Sequence, residues 1–391
     1  MNHTTNILFL NWPCFGKDDI LDFFQKQGYQ VTKYYHKDYD KRQSDTFSDD
    51  IEKIFLSTEF DFCFSYNFFP LLARACQKHN LKYISFVYDN PQVKLYSYTV
   101  TYPTNYIFCF DSYEVDHFRK NGLTNFYYMP LPVNANKIDD LLQQPYDKKH
   151  LASEVSFVGS LYDEDHNFFD NMTGLSDRTR GFLSGIMDAQ LKVSGYNFIE
   201  ECLTPEIINE LQENAQYHPC ADGTESLSYI FSDYFICRKL TNLERTKLLS
   251  LVAEKYPVKL FTLNAHAALP NVQNMGSADY FMEMPYIFHD SKINLNITLR
   301  SIRNGIPLRC MDIMANEGFL LTNFQSDFLY HFVPDEDFVY YESEKDLLHK
   351  IDYYLSHDEE RKAIAESGHD KVCKYHNYET IWNQILEIVT A

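Results

Sequence analysis

Several sequence patterns that would identify a function class are missing from this chain. Its nine cysteines include no Cys-x-x-Cys pair, and its 14 histidines show neither His-x-His nor His-Glu-x-x-His spacing, so no metal site is predicted. The glycine fingerprints of dinucleotide and ATP phosphate loops are absent, as is the Gly-x-Ser-x-Gly elbow. These absences argue against an oxidoreductase, a P-loop enzyme and a hydrolase of the elbow type.

Basic residues and long apolar runs are also scarce. Lys and Arg number 35 against 55 Asp and Glu, which gives a net charge of −20 and disfavours nucleic acid or an anionic membrane as the main partner. No run approaches the ~20 apolar residues of a membrane span. The first residues, MNHTTNILFLNWP, lack the basic region of a signal peptide. We therefore expect a cytoplasmic protein with reduced thiols and no transmembrane segment.

What the chain has is an alternation of apolar strands and amphipathic helices, long enough at 391 residues for two domains. Strands rich in Ile, Phe, Tyr and Val that alternate with helices predict parallel, doubly wound sheets of the α/β class. The predicted organisation is a Rossmann-like domain over 1–133, a linker or hinge over 134–154, and a second Rossmann-like domain over 155–375. We expect a helical insertion at about 164–250 and a last helix, 376–391, that crosses back to the first domain.

Ligands of such sheets bind outside the carboxyl ends of the strands. Two domains of this kind are expected to face each other across a cleft, so functional residues are sought in the loops that follow strands. These loops are 11–16, 65–67, 89–91, 111, 159–162, 298–307 and 322–325.

The most informative window is 291–311, SKINLNITLRSIRNGIPLRCM, which holds four cations and no acid. In an acidic chain, such a window is the natural place for an anion. Lys292 begins a strand and is read as a solvated end charge. Arg300 and Arg303 follow that strand, where either could neutralise a leaving diphosphate.

A short helix predicted over 306–318 completes this candidate site. Pro307 and Leu308 lie in its first turn, whose free N–H groups and dipole favour a phosphate. Arg309 could form a bidentate pair with that phosphate, and Asp312, one turn further, could accept two hydrogen bonds from a ribose diol. An ordinary surface helix with an Arg–Asp salt bridge is the equally open alternative.

Polar residues near this helix are assigned to the donor with less specificity. Asn294 and Asn296 alternate with apolar residues along a strand, so their amides share one face, which is either the cleft or a polar surface. Gly159 and Ser160 end the first strand of the second domain, where small residues allow close approach of a ligand.

Two strand ends in the first domain carry the other candidates. Asp89 closes a strand, where its carboxylate could serve as a general base or bind a sugar hydroxyl. Asn67 and Asn90 lie at strand ends on the same acceptor and sugar side. Turn formation is the competing explanation for all three residues.

The segments 291–324 and 340–372 resemble the C-terminal domain of glycosyltransferases related to spore maturation proteins, a group 1-like domain. The segments FCFSYNFFPLLARAC, KYISFVYDNP, NYIFCFD and YYMPLPVN resemble the uncharacterised N-terminal domain that often precedes it, and VSFVGSLYDED resembles the opening of the second domain. The resemblance implies the GT-B architecture. Retaining members often carry Glu-x7-Glu, and the matching residues here are Asn304 and Asp312. Asn304 cannot act as a carboxylate, although Asp312 could still bind ribose.

These observations predict a metal-independent hexosyltransferase that uses a nucleotide-diphosphate sugar, first of all a UDP sugar, and no cofactor. Asp89, Arg300 and Arg309 are the predicted catalytic residues, and the acceptor is an unidentified protein or glycan. Two alternatives stay open. One is a nucleotide-sugar epimerase of the same fold, and the other is a non-catalytic sugar- or nucleotide-binding scaffold.

Overall fold

The computed structural model describes residues 4–134, 137–142, 149–163 and 167–390, with backbone only at 137–139. In chain order the strands are β1 (Asn6–Leu10), β2 (Gln30–Tyr34), β3 (Phe62–Tyr66), β4 (Lys82–Val87), β5 (Asn105–Cys109), β6 (Phe126–Tyr128), β7 (Val155–Val158), β8 (Val258–Phe261), β9 (Val272–Gly276), β10 (Ile293–Asn296), β11 (Leu320–Asn323) and β12 (Val339–Tyr341).

The α-helices alternate with these strands. They are α1 (Lys17–Lys26), α2 (Asp45–Ser57), α3 (Pro70–Lys78), α4 (Ser112–Lys120), α5 (Lys137–Leu142), α6 (Asp177–Gln190), α7 (Ile199–Cys202), α8 (Pro205–Ala215), α9 (Leu227–Tyr229), α10 (Cys237–Ala253), α11 (Met284–Asp290), α12 (Leu308–Ala315), α13 (Phe328–His331), α14 (Glu344–Ser356), α15 (Asp358–Tyr375) and α16 (Tyr378–Thr390). A π-helical segment, Ile230–Ile236, joins α9 to α10.

The chain divides into two compact units. Unit 1 comprises the described residues up to Leu131, the segment His218–Ser226 and the described residues from Tyr378 onward. Unit 2 comprises the described residues of 132–217 and 227–377. The segment His218–Ser226, which was predicted to be part of the helical insertion, thus belongs to unit 1. The predicted hinge falls partly on 135–136 and 143–148, and the predicted start of the insertion on 164–166, all outside the described residues.

Unit 1 is built on a parallel sheet with the strand order β2-β1-β3-β4-β5-β6. Its central strand β3 is buried along its whole length, as its apolar sequence FCFSY requires. Helix α16 packs on the same sheet, where Trp382 contacts Phe24 and Phe64 with ring centroids 4.7 and 5.2 Å away.

The segment His218–Ser226 is held in unit 1 by buried charges. The Arg74 guanidinium lies 2.9 Å from the Asp222 carboxylate, and Ser97 donates to the same carboxylate at 2.9 Å. The Thr224 amide donates to the Tyr96 carbonyl. Asp222 and Glu225 are the buried residues of this otherwise largely exposed segment, and pairing with arginine is what allows a carboxylate to be buried.

Unit 2 is built on a second parallel sheet with the order β12-β11-β10-β7-β8-β9. Apolar clusters cover both faces of this sheet, one with α10 and α14 and the other with α11 and α12. The chain order reverses between β7 and β10, which makes their carboxyl ends the topological switch point of the sheet. The predicted class, two doubly wound domains with a helical insertion in the second, is confirmed.

Two local features of unit 2 differ from what the sequence pattern indicates. Strand β9 was not predicted, because its sequence, VQNMG, has no apolar alternation and it lies at the sheet edge. The residues 277–291 are typical of one helix, but the helix begins only at Met284, because the Asp279 carboxylate caps the amides of Phe281 and Met282 in a turn.

Candidate functional site

The carboxyl ends of β7 and β10 are joined by the side chain of Arg245, which projects from α10. Its Nε donates to the Ile297 carbonyl at 3.0 Å, and its Nη1 donates to the Ser160 carbonyl. The rings of Phe157 and Tyr162 lie 5.2 and 5.0 Å from the guanidinium carbon. Arg245 therefore holds the two strand ends of the switch point together.

The charge of Arg245 is unusual for a buried group. The residue is 8% exposed, and burial lowers the pKa of its guanidinium. Within the described part of the chain, no carboxylate forms an ion pair with it. A buried cation that contacts only carbonyl oxygens and rings leaves positive potential at the switch point. Arg245 was not predicted from the sequence, because it sits in an ordinary helical sequence, LERTKLL, with no local sign of burial.

Gly159 and Ser160 lie beside this guanidinium, where the chain leaves β7. A Cβ built on Gly159 would lie 3.6 Å from Arg245 Nη1. The Ser160 hydroxyl accepts from the Tyr162 amide at 2.8 Å and so shapes the loop. Both predicted residues therefore lie at the switch point.

Helix α12 begins next to this edge, after the loop that follows β10. Pro307 occupies the N-cap position instead of the first turn, and Leu308 is the first helical residue. The Arg309 guanidinium lies 3.4 Å from an Asp312 carboxylate oxygen and 5.4 Å from the centroid of the Phe288 ring. Arg309 and Asp312 are thus adjacent.

Asp312 is buried, which neither the ribose-binding helix nor the ordinary surface helix predicted from the sequence had implied. Only 7% of the residue is exposed, and the Tyr280 hydroxyl donates to Asp312 Oδ1 at 3.0 Å. The helix is therefore no ordinary surface helix, although the salt bridge of that alternative is present. A carboxylate fixed by a tyrosine and an arginine has a defined orientation, which suits recognition of a diol.

Arg300 and Arg303 were predicted to be cations without acidic partners, available to a diphosphate, and this prediction was wrong. The Arg300 Nε donates to Glu244 Oε2 at 2.7 Å, and an Arg303 Nη2 lies 3.1 Å from Asp233 Oδ1. The window itself is free of acids, but Glu244 comes from α10 and Asp233 from the π-helical segment. Acids distant in sequence therefore neutralise both arginines in space.

The Arg303–Asp233 pair is deeply buried. Burial raises the pKa of Asp233 to about 6, although the Arg303 charge opposes that rise. Arg303 Nη1 also donates to the Asn197 carbonyl at 2.8 Å. Arg303 thus ties the loop after β10 to the helical insertion.

Asn294 and Asn296 lie inside unit 2 and on neither of the surfaces predicted for them. Asn294 accepts from the Ser156 hydroxyl at 2.7 Å and donates to the Phe288 carbonyl at 2.8 Å. Asn296 donates to the hydroxyl of Thr322 at 2.9 Å. The Asn294 amide thus joins the sheet to α11, and the Asn296 amide is taken up by threonine hydroxyls of the same sheet, so a contact with a donor stays a prediction that this placement does not favour. Asn304 lies in the loop before α12, and its carbonyl accepts from the Asp327 amide at 3.1 Å.

In unit 1, Asn67 and Asp89 are brought together at the carboxyl ends of β3 and β4. Asn67 Nδ2 donates to Asp89 Oδ2 at 2.6 Å, and Asn67 Oδ1 accepts from the amides of Tyr88 and Asp89 at 3.2 Å. Asn67 has φ 61°, which asparagine tolerates in turns. The turn-forming role is therefore present, and it also aims the Asp89 carboxylate. Asn90 follows directly and precedes a cis proline, Pro91.

Two further properties concern the described residues as a whole. They contain no group of three or more His, Cys, Asp or Glu side chains that could hold a metal ion. They also include no helix with the length and apolar character that crossing a bilayer requires.

Comparison with known proteins gives one family match. Residues 235–387, which include α12, match the family model described as glycosyl transferase-like. That match covers less than half of the chain. No curated protein matches the chain.

Solved structures of similar fold extend over almost the whole chain. A UDP-forming α,α-trehalose-phosphate synthase of Burkholderia vietnamiensis has a TM-score of 0.55 at 11% identity, with 99% of this chain and 98% of that chain covered. Anabaena Alr3699/HepE in complex with UDP-glucose has a TM-score of 0.52 at 10% identity, with 98% and 99% covered. Sucrose-phosphate synthase of Thermosynechococcus elongatus has a TM-score of 0.51 at 9% identity, with 99% and 98% covered. At these identities the likeness establishes the fold, and the chain has the GT-B architecture.

Proposed function

We propose that this protein transfers a hexose from a UDP sugar to a hydroxyl of a protein or glycan acceptor, without a metal ion. The observation that carries the proposal is the adjacency of Arg309 and Asp312 on the helix that follows the switch-point strand β10. The glycosyl transferase-like match over 235–387 supports it. So does the similar fold of Alr3699/HepE, whose structure contains UDP-glucose.

Donor binding would exchange the partners of this pair. The diphosphate takes the Arg309 guanidinium and the first amides of α12, while the ribose hydroxyls take the Asp312 carboxylate that Tyr280 orients. Each group then keeps a partner of opposite charge or polarity, so little is lost when the resting ion pair opens. Arg245 adds positive charge where the leaving diphosphate develops negative charge.

The roles of the other predicted residues follow from their contacts. Arg300 and Arg303 were predicted to meet the leaving group, but they are ion-paired with Glu244 and Asp233. We now assign them to hold the loop between β10 and α12. Asp89, oriented by Asn67, is assigned to bind or deprotonate the acceptor hydroxyl.

Calorimetry of UDP binding tests the donor site. Arg309→Ala should weaken UDP binding about tenfold to a hundredfold, because a charge-assisted contact with phosphate is lost. Lys292→Ala is the matched control, since it removes a cation of the same acid-free window from an exposed position. Equal UDP affinity in wild type and Arg309→Ala would remove the core of the proposal. Transfer that disappears with EDTA and returns with Mg²⁺ would contradict metal independence.

One observation favours a second candidate, a nucleotide-sugar-binding scaffold without turnover. Asn304 occupies the position where the resembling enzymes carry a carboxylate, and its amide cannot replace that charge. Incubation with a radiolabelled UDP sugar separates the two functions. Transfer or hydrolysis above background, reduced by Arg309→Ala, supports the enzyme, whereas binding without any turnover supports the scaffold.

A further inference from the structure

Unit 1 carries a row of aromatic side chains on the loops that follow its strands. The strand order places the carboxyl ends of β2, β1, β3 and β4 side by side at one edge of the sheet. Rings from the loops after β2, β1 and β4 meet there. We call this row the aromatic track, and its members are Tyr35, Tyr39, Trp12 and Tyr88. The residue after Tyr88 is Asp89, the group assigned to the acceptor hydroxyl.

Each ring of the aromatic track contacts the next. The ring centroids of Tyr35 and Tyr39 are 6.0 Å apart, and those of Tyr39 and Trp12 are also 6.0 Å apart. The Tyr88 ring follows, 6.3 Å from the indole and tilted by only 14° from its plane. Rings at this separation are offset from one another, so a neighbouring ring does not cover a whole face. The track is therefore a series of apolar surfaces that leads to Asp89.

Packing explains only part of this arrangement. Trp12 and Tyr39 are half-buried and pack against the core of unit 1, but Tyr35 at one end of the track is 58% exposed. Phe15 at the other end is also 58% exposed, and its backbone forms a hydrogen bond with the Tyr88 hydroxyl. A single exposed ring needs no explanation. Exposed rings at both ends of a contiguous aromatic row indicate a binding surface.

Asp89 is accessible at the end of the track. The residue is exposed, and Asn67 orients its carboxylate through a hydrogen bond of 2.6 Å. Burial raises the pKa of the Cys14 thiol to about 12, and the Asp89 charge adds to that rise. The carboxylate therefore lies close to the loop after β1 that carries Trp12 and Phe15. A ligand on the track would place its end beside a group that can take up a proton.

The charge of the protein decides between the ligands that stack on aromatic rings. Nucleic acid bases stack in this way, but a net charge of −20 and the Asp89 carboxylate disfavour a polyanion. A neutral sugar ring presents C–H groups on its flat side, which suit the negative face of an aromatic ring, and its hydroxyls can contact a carboxylate. A bound peptide typically adds to a sheet edge or lays a helix into a groove, whereas the track lies across strand ends.

We propose that the acceptor is a neutral oligosaccharide that lies along the aromatic track and presents its terminal hydroxyl to Asp89. The inference rests on the proposed function, because it names the acceptor of that reaction. The acceptor oxygen bonds to the anomeric carbon of the hexose. The bond from that carbon to the diphosphate oxygen breaks, its electron pair leaves with UDP, and Asp89 takes up the acceptor proton.

Tryptophan fluorescence measures this binding without the donor. The chain has two tryptophans, and Trp382 is only 2% exposed, so a change in emission on glycan binding should come from Trp12. The probe is a printed array of neutral glycans, followed by titration of the strongest binder in solution. That glycan should change the emission of the wild type and protect Trp12 from iodide quenching. Trp12→Phe should abolish the change.

Tyr35→Ala is the most direct variant, because it removes an exposed ring at the end of the track away from Asp89. The affinity for the selected glycan should fall about tenfold. In transfer assays, KM for that glycan should rise by a similar factor while kcat and UDP affinity stay unchanged. Tyr330→Ala is the matched control, since it removes a tyrosine that is 74% exposed in unit 2, and it should change none of these quantities.

The possible outcomes separate this inference from the proposed function. Equal glycan affinity in folded Tyr35→Ala and wild type would refute the track, as would UDP binding by a wild type that binds no neutral glycan. Tighter binding of sulfated glycans would contradict the charge argument. Transfer of labelled sugar to a trypsin-sensitive product alone would mean a protein acceptor and would overturn the inference. Glycan binding that depends on Tyr35, with no transfer from any UDP sugar, would instead refute the proposed function.

Discussion

Arg245→Met is the substitution that most directly tests how the switch point attracts an anion. Methionine keeps an unbranched apolar stem between the rings of Phe157 and Tyr162 but removes the guanidinium. Two backbone carbonyls, those of Ser160 and Ile297, then lose their charged donor. Each such hydrogen bond contributes about 1.5–3 kcal/mol, offset by relief of the buried charge. We expect a net loss of about 2 kcal/mol in the free energy of unfolding.

The effect on anion binding should be larger than the effect on stability. A unit charge about 6 Å from a phosphate contributes roughly 3 kcal/mol at an effective dielectric constant of 20, which corresponds to about a hundredfold in affinity. Glu244 is the carboxylate whose charge acts on Arg245, but its oxygens already pair with Arg300. Arg245→Lys, which keeps the charge, should restore most of the UDP affinity and little of the hydrogen bonding that joins β7 to β10.

The assay combines calorimetry with UDP and urea unfolding of the same preparations. Arg238→Met is the matched control, because Arg238 lies on the same helix with its guanidinium also over aromatic rings, those of Phe168 and Tyr234. Its UDP affinity should match the wild type. If Arg245→Met folds normally and binds UDP as the wild type does, the reasoning from a buried, unpaired guanidinium is refuted.

Three other predictions concern single residues. Burial raises the pKa of Asp233 from 3.8 to about 6, so the folded state holds this proton more tightly than the unfolded state does. The proton stabilises the fold fully below the unfolded pKa of 3.8, and this stabilisation is lost as the pH rises through 6. Between pH 4 and pH 7, the free energy of unfolding of Asp233→Asn should therefore rise by on the order of 2–3 kcal/mol relative to that of the wild type, as measured by urea unfolding. A difference between the two proteins that does not change with pH would contradict this. Trp382→Ala should lower the free energy of unfolding by about 3–5 kcal/mol, because a fully buried ring against Phe24 is lost, and a fall below 1 kcal/mol would argue against that packing. Asp89→Asn should reduce the transfer rate about a hundredfold with unchanged UDP affinity, and a variant that transfers at the wild-type rate would remove Asp89 from the mechanism.

The fold was predictable because both sheets are parallel and buried on both faces. Strands such as FCFSY must then be apolar throughout, and amphipathic helices must separate them, so the alternation is visible in the residues themselves. Strand β9 and the delayed start of α11 were not predictable in this way. The first is a polar edge strand, and the second depends on a turn at Asp279 that competes with helix formation.

The candidate site was predictable only in part, for a related reason. Arg309 and Asp312 are three residues apart, so helical geometry alone brings them together. The partners of Arg300 and Arg303 lie 56 and 70 residues earlier in the chain, and no local pattern indicates such pairs.

The sequence by itself determined the α/β class, the two doubly wound sheets and the short helix with its arginine and aspartate, because these depend on residues close together in the chain. Only the tertiary structure decided which charges stay available for a ligand. Charge compensation acts through space, so acids from the insertion and α10 neutralise two arginines of the acid-free window. The same folding leaves Arg245, an arginine without any distinguishing sequence context, buried at the switch point without an ion pair in the described chain.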